Sequence, residues 1–131
     1  PKGQPTVIDM VGDVKGRPAI IYDDMIQSGG TLLQVVRRLL KRGATEVHAA
    51  AVHADFTPEA LKKLKDSPLK TLALSDTTAT AADVVGDRIA IVSAARILAQ
   101  AIWRIHTQQS VGWIFQILRE EGELPPIHGE A

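Results

Sequence analysis

Cysteine is absent from this sequence of 131 residues, which excludes a disulfide framework, a thiolate nucleophile and a cysteine-based zinc site. The same absence fits a cytoplasmic protein. Aromatic residues are scarce, at 4% of the chain. Trp103 and Trp113 are not set among basic residues arranged for base stacking, so both are expected in a core or an interface. Charge of either sign is missing in excess: 15 basic and 15 acidic residues give a formal net charge of zero. Nothing therefore points to nucleic acid or to an anionic membrane as a partner. No apolar run approaches membrane-spanning length, and the N-terminus lacks the basic and hydrophobic pattern of a secretory signal. There is no G-x-x-x-x-G-K-[ST] run, which excludes a P-loop nucleotide site.

What the chain has is an ordinary globular balance, 45% apolar and 23% charged, at a length that suits one domain with its own core. Its organising stretch runs from Ala19 to Leu32. Ala19–Tyr22 is short, apolar and β-branched in the middle, the pattern of a strand buried on both faces. From Leu32 the period becomes helical, with Leu32, Val36, Leu39 and Leu40 on one face and Arg37, Arg38 and Lys41 on the other. Between the two lie Asp23 and Asp24, then Gln27, Ser28, Gly29, Gly30 and Thr31.

Successive backbone N–H groups at a glycine turn, backed by the positive end of a helix, form a nest for phosphate oxygens. Ser28 and Thr31 add hydroxyl donors. Asp23 and Asp24 would repel a phosphate, but as acceptors they suit sugar hydroxyls or a Mg²⁺ carried by the ligand. A sugar phosphate satisfies both ends. The plainer alternative is a strand-to-helix connection whose acids only cap and solvate the helix start.

The run Asp23-Asp24-Met25-Ile26-Gln27-Ser28-Gly29-Gly30-Thr31 resembles the phosphoribosyl-diphosphate motif of type I phosphoribosyltransferases. Three further segments narrow the resemblance: Val11–Arg17, Ala49–Phe56, and Arg104-Ile105-His106 through Ser110-Val111. In that order they are similar to ribose-phosphate diphosphokinases, also called phosphoribosyl diphosphate synthetases, over about Val11 to Phe115. The resemblance makes this chain, which opens on Pro1, the C-terminal half of a longer enzyme.

The remainder reads as repeating strand and helix. Residues 1–10 give an exposed arm and a possible first strand, 11–115 the phosphoribosyltransferase-like domain, and 116–131 a tail. A helix over Thr31–Arg42 stops at Gly43, Glu46–Val52 is the next strand, and His53–Phe56 is a loop. Thr57 and Pro58 start a second helix, which carries Ala60, Leu61 and Leu64 inward and ends before Pro68. Leu69–Leu74 and Ile89–Val92 are strands, and Ser93 caps a helix from Ala94 to about Gln108 with a stripe of Ile97, Leu98, Ala101, Ile102 and Ile105. A packed segment follows over Val111–Leu118. The fold class is α/β, a parallel sheet with helices on both faces, and ligands on such sheets bind beyond the strand carboxyl ends. His53 lies at that edge, with packing or hydrogen bonding favoured over a metal role. Ser75–Thr80 either binds phosphate or is a polar connection capping the Ala81–Asp83 turn.

The resemblance implies transfer of the diphosphoryl group of ATP to the C1 hydroxyl of ribose 5-phosphate, with Mg²⁺, in a homo-oligomer. It assigns the ribose hydroxyls to Asp23 and Asp24 and the 5-phosphate to Gln27, Ser28, Gly29, Gly30 and Thr31. It places the ATP-binding residues, metal ligands and basic catalytic loop upstream of Pro1, so the segment alone is expected to be inactive. Gln27 stands where most of these synthetases have an Asp, and Gln cannot act as a base or a charged metal partner. Ser110 and Phe115 match a regulatory phosphate motif in which Gly112 replaces a second Ser.

Overall fold

Strand β1 spans Ala19–Ile26 and runs further than its apolar residues, because its pairing with β2 (Val47–Ala54) continues through Asp23↔Ala51, Met25↔His53 and Ile26↔Ala54. The computed structural model describes residues 12–79, 87–120 and 122. The first-strand expectation at 1–10, the Ala81–Asp83 turn and most of the tail lie outside the described residues. Helix α1 is Gly30–Lys41, α2 is Pro58–Lys65, β3 is Thr71–Ser75 and β4 is Ile89–Val92. The four strands are parallel, in the order β1-β2-β3-β4. This is the α/β parallel sheet that the alternation of periods predicts. The chain divides into two compact units, Pro1–Val92 and Ser93–Ala131.

The core of the first unit follows from period-2 burial on the sheet and a 3.6-residue period on the helix. Val47, Ala49 and Ala51 of β2 and Leu72 and Leu74 of β3 are buried, with Leu32, Leu33, Val36 and Leu39 of α1 and Leu64 of α2. Each large aliphatic side chain so placed contributes about 1.5–3 kcal/mol. Leu33, rather than Leu40, completes the buried stripe of α1. β1 departs from the expectation of burial on both faces: Ile20 is 75% exposed and Tyr22 76%. It is one of the two edge strands among the described residues, and its Ile20 and Tyr22 face is exposed.

The ends of the elements are set by local chemistry. Gly43 takes φ 92° after α1 and donates its N–H to Leu40 O, a left-handed stop that glycine adopts without strain. Thr57 caps α2 through an Ala60 N–H to Thr57 Oγ1 bond of 3.2 Å, with Pro58 at the first helical position. Thr57→Ala is expected to cost about 1 kcal/mol, read as faster hydrogen exchange of the α2 amides. His53 and Ala54 belong to β2, so the expected loop begins only at Asp55. The reason is that the pairing with β1 and the hydroxyls of the following strand's end both hold these residues extended.

The second unit holds α3 (Ala95–His106) and α4 (Gly112–Glu120). Its packing centres on Ile114 and Ile117 with Ala101, Val111, Trp113 and Leu118. Ser93 caps from outside, its Oγ accepting from the Ala95 N–H at 3.2 Å. The apolar stripe of α3 is outward: Ile102 is 69% exposed and Ile105 68%, whereas Gln100 and Arg104 are buried. Arg104 lies with its guanidinium 3.6 Å from the Trp113 ring centroid and donates to Gln109 Oε1 at 3.2 Å. The cation–π contact and the amide oxygen offset the cost of burying that charge.

Candidate functional site

The carboxyl end of β1 opens on a cavity of about 420 Å³, lined by every residue from Asp23 to Leu32 except Gly30. A second cavity, of about 310 Å³, lies at the opposite end of the sheet, where Thr71 and Ile89 begin their strands. It is bounded by Leu64, Leu69 and Leu72 together with the polar Lys65, Asp87 and Arg88. The polar chemistry that the sequence singles out is concentrated in the first.

Gly29 is the pivot of the turn. It adopts φ 67°, ψ −6° as the residue before α1, and its carbonyl accepts the first helical bond, from Leu33 N–H at 3.0 Å. A left-handed residue there turns the following amides along the axis of α1, outward from its N-terminus. Gly29 has no side chain to cap this end and no acid lies in its first turn, so the partial positive charge of the helix start is not neutralised by a carboxylate from within. Ser28 Oγ accepts a long bond of 3.4 Å from the Gly30 N–H, which leaves its own proton available. Gln27, Ser28 and Thr31 are exposed, whereas Gly29 is buried against Leu64.

The two acids are neighbours in sequence but not a side-by-side pair. Consecutive strand residues point to opposite faces, so Asp23 and Asp24 flank the strand end, and both border the cavity. Asp23 Oδ1 accepts from the Asp24 N–H at 2.9 Å, which fixes its carboxylate, while Asp24 is exposed. Anion-favouring amides and sugar-favouring carboxylates thus stand at two ends of one opening.

Other sequence candidates take different places. Ser75, Thr77 and Thr78 direct their hydroxyls at the carboxyl end of β2: Ser75 and Thr77 bond Val52 O, and Thr78 bonds Ala54 O. They brace the neighbouring strand, a role invisible to motif reading because the partners lie 23–25 residues away. His53 Nδ1 is 2.7 Å from Thr77 Oγ1, the hydrogen-bonding role expected of it. Ser110 is exposed before α4, its carbonyl accepting from Arg104 at 3.4 Å, and Phe115 is 67% exposed on α4. Arg88, which no motif singles out, donates to the carbonyls of Lys65, Ser67 and Leu69 and ties the α2 exit to the start of β4.

A family model described as phosphoribosyl synthetase-associated domain matches residues 1–116. The chain belongs to that family. Similar phosphoribosyl synthetase relatives include the ribose-phosphate pyrophosphokinase of Caldanaerobacter subterraneus subsp. tengcongensis, 40% identical over 109 residues, covering 83% of this chain and 34% of that protein. The ribose-phosphate pyrophosphokinase 2, chloroplastic, of Spinacia oleracea is 36% identical over 110 residues, covering 84% of this chain and 28% of that protein. The crystal structure of phosphoribosylpyrophosphate synthetase from Mycobacterium smegmatis superposes with a TM-score of 0.70 at 32% identity, over 75% of this chain and 33% of that one. The chain therefore spans about a third of the length of the synthetases it matches. No helix among the described residues is long and apolar enough to cross a membrane.

Proposed function

We propose that this chain is the ribose 5-phosphate-binding part of a ribose-phosphate diphosphokinase. The observation that carries the reading is the acid-free start of α1, turned outward by the left-handed Gly29, beside the exposed Asp24. The amides and hydroxyls of Gln27, Ser28, Gly29, Gly30 and Thr31 hold the 5-phosphate, and Asp23 and Asp24 accept from the ribose hydroxyls. The C1 hydroxyl oxygen then bonds to the β-phosphorus of ATP as the bond from that phosphorus to the α,β-bridging oxygen breaks; AMP leaves with the bridging oxygen, and the hydroxyl proton passes to solvent. The names of the relatives support this reaction class.

In this reading the site is built by positioning and by charge, with no protein nucleophile required. Among the described residues no group of three or more His, Cys, Asp or Glu could hold a metal ion. Mg²⁺ suits such a site all the same, since it takes one or two carboxylates and completes its shell with water and substrate oxygens. Asp24 and Asp23 would be the oxygen donors that this chain offers, and the ion would neutralise phosphate charge. ATP and the remaining basic groups would be held by the rest of the polypeptide. The same reading makes the enzyme cytoplasmic and homo-oligomeric, and it keeps Ser110 and Phe115 as a regulatory phosphate site.

Gln27 favours a second reading, a non-catalytic synthetase-like subunit that keeps the fold and assembles with active partners; it is exposed at the cavity and carries no charge. Release of AMP from ATP on addition of ribose 5-phosphate, measured on the complete natural polypeptide and on its Gln27→Asp variant, separates the two. Turnover by the unaltered protein supports the enzyme. Turnover by Gln27→Asp alone supports the subunit, and pyrophosphate release with a nucleobase instead would indicate a phosphoribosyltransferase.

A further inference from the structure

Three hydroxyls from the end of β3 grip the end of β2, and they determine how one imidazole is protonated. Ser75 Oγ donates to Val52 O at 2.5 Å, and Thr77 Oγ1 donates to the same carbonyl at 3.0 Å. Thr78 Oγ1 donates to Ala54 O at 2.6 Å and accepts the Ala54 N–H at 3.3 Å, so His53 is bracketed on both sides along the chain. Each hydroxyl carries one proton. Ser75 Oγ and Thr77 Oγ1 also lie 2.7 Å apart, so with the Ser75 proton on Val52 O and the Thr77 proton shared between Ser75 Oγ and Val52 O, the 2.7 Å bond between Thr77 Oγ1 and His53 Nδ1 takes its proton from the ring. The network thus assigns hydrogen to Nδ1 and leaves Nε2 of the neutral imidazole with its lone pair.

His53 is one strand away from the wall of the cavity that holds the turn. Met25, in the wall of the cavity, is the register partner of His53, and paired strands lie about 4.8 Å apart. One residue on, the Asp55 N–H donates to Ile26 O at 3.0 Å, the last link before Gln27. The grip on β2 therefore also holds the strand end from which the turn departs.

We propose that Ser75 and Thr77 are positioning residues that fix His53 with its hydrogen on Nδ1, so that Nε2 accepts a hydrogen bond from a hydroxyl of the sugar phosphate held at residues 27–31. This rests on the function proposed above. His53 adds a neutral acceptor to the charged acceptors Asp23 and Asp24, and it is set by strand pairing rather than by the turn itself.

The test is ring nitrogen NMR of the complete polypeptide labelled with ¹⁵N-histidine, at a pH where the ring is neutral, with His53 assigned by the missing signal in His53→Gln. The unaltered protein and Thr77→Ser are expected to show hydrogen on Nδ1, and Thr77→Val a mixture of tautomers. Ribose 5-phosphate should move the His53 Nε2 signal together with the amides of Ser28 to Thr31. Inorganic phosphate, which has no sugar hydroxyl, should move the amides alone. Thr77→Val should raise KM for ribose 5-phosphate about three- to tenfold with little change in kcat, as expected for one neutral hydrogen bond. Hydrogen on Nε2 in the unaltered protein overturns the proposal, and so does a sugar phosphate that moves the turn amides but not Nε2. If neither moves, the reading of the turn itself fails, and this inference falls with it.

Discussion

Asp24→Ala in the complete polypeptide is expected to lower kcat/KM for ribose 5-phosphate about ten- to hundredfold, the range for losing hydrogen bonds to a charged acceptor. The KM for ATP should change much less. Asp24 is the acid to choose because Asp23 already accepts from a backbone N–H, whereas Asp24 is exposed at the cavity. A substitution at an exposed strand position away from the core shifts stability by only about 0.5 kcal/mol, so the loss is one of recognition and not of folding. Steady-state kinetics with ribose 5-phosphate varied, beside a thermal melt of the same preparation, distinguish the two. An unchanged kcat/KM would remove Asp24 from the site and leave the amide turn without its sugar-binding end.

Leu72→Ala is expected to destabilise the first unit by about 2–5 kcal/mol. Leu72 is 2% exposed and lies in register between Ala49 and Ile89, so its neighbours on both strands are fixed by the sheet and cannot close over the void. The check is native-state hydrogen exchange of the β2 and β3 amides, because global melting of a multidomain protein is not a single transition. A change below about 1 kcal/mol would mean that the helices rest on the sheet more loosely than the burial of Val36, Val47 and Leu74 indicates.

Elements whose causes are local were legible in the sequence. α1 ends where Gly43 stops it, α2 begins where Thr57 and Pro58 start it, and β4 occupies the apolar run Ile89–Val92. The glycine turn was legible too, since only glycine reaches the conformation of Gly29 without strain. Features set by distant partners were not. β1 and β2 each run further than their apolar residues because pairing with one another carries Asp23, Asp24 and His53 into the ladder. The polar run after β3 reads as a polar connection in preference to a phosphate site, and its actual acceptors sit on another strand. The outward stripe of α3 and the buried Arg104 reverse what hydropathy alone suggests, because two tryptophans give a cation a place that a period count does not register.

The strands stand side by side in the order in which they occur along the chain. During synthesis each new one meets an edge already finished, and none has to be threaded between two that are in place. The sugar-phosphate turn is framed by β1, α1 and β2, with Leu64 of α2 packed against Gly29 and the hydroxyls after β3 bracing the end of β2. Its geometry is therefore complete only once α2 and the end of β3 have joined the sheet.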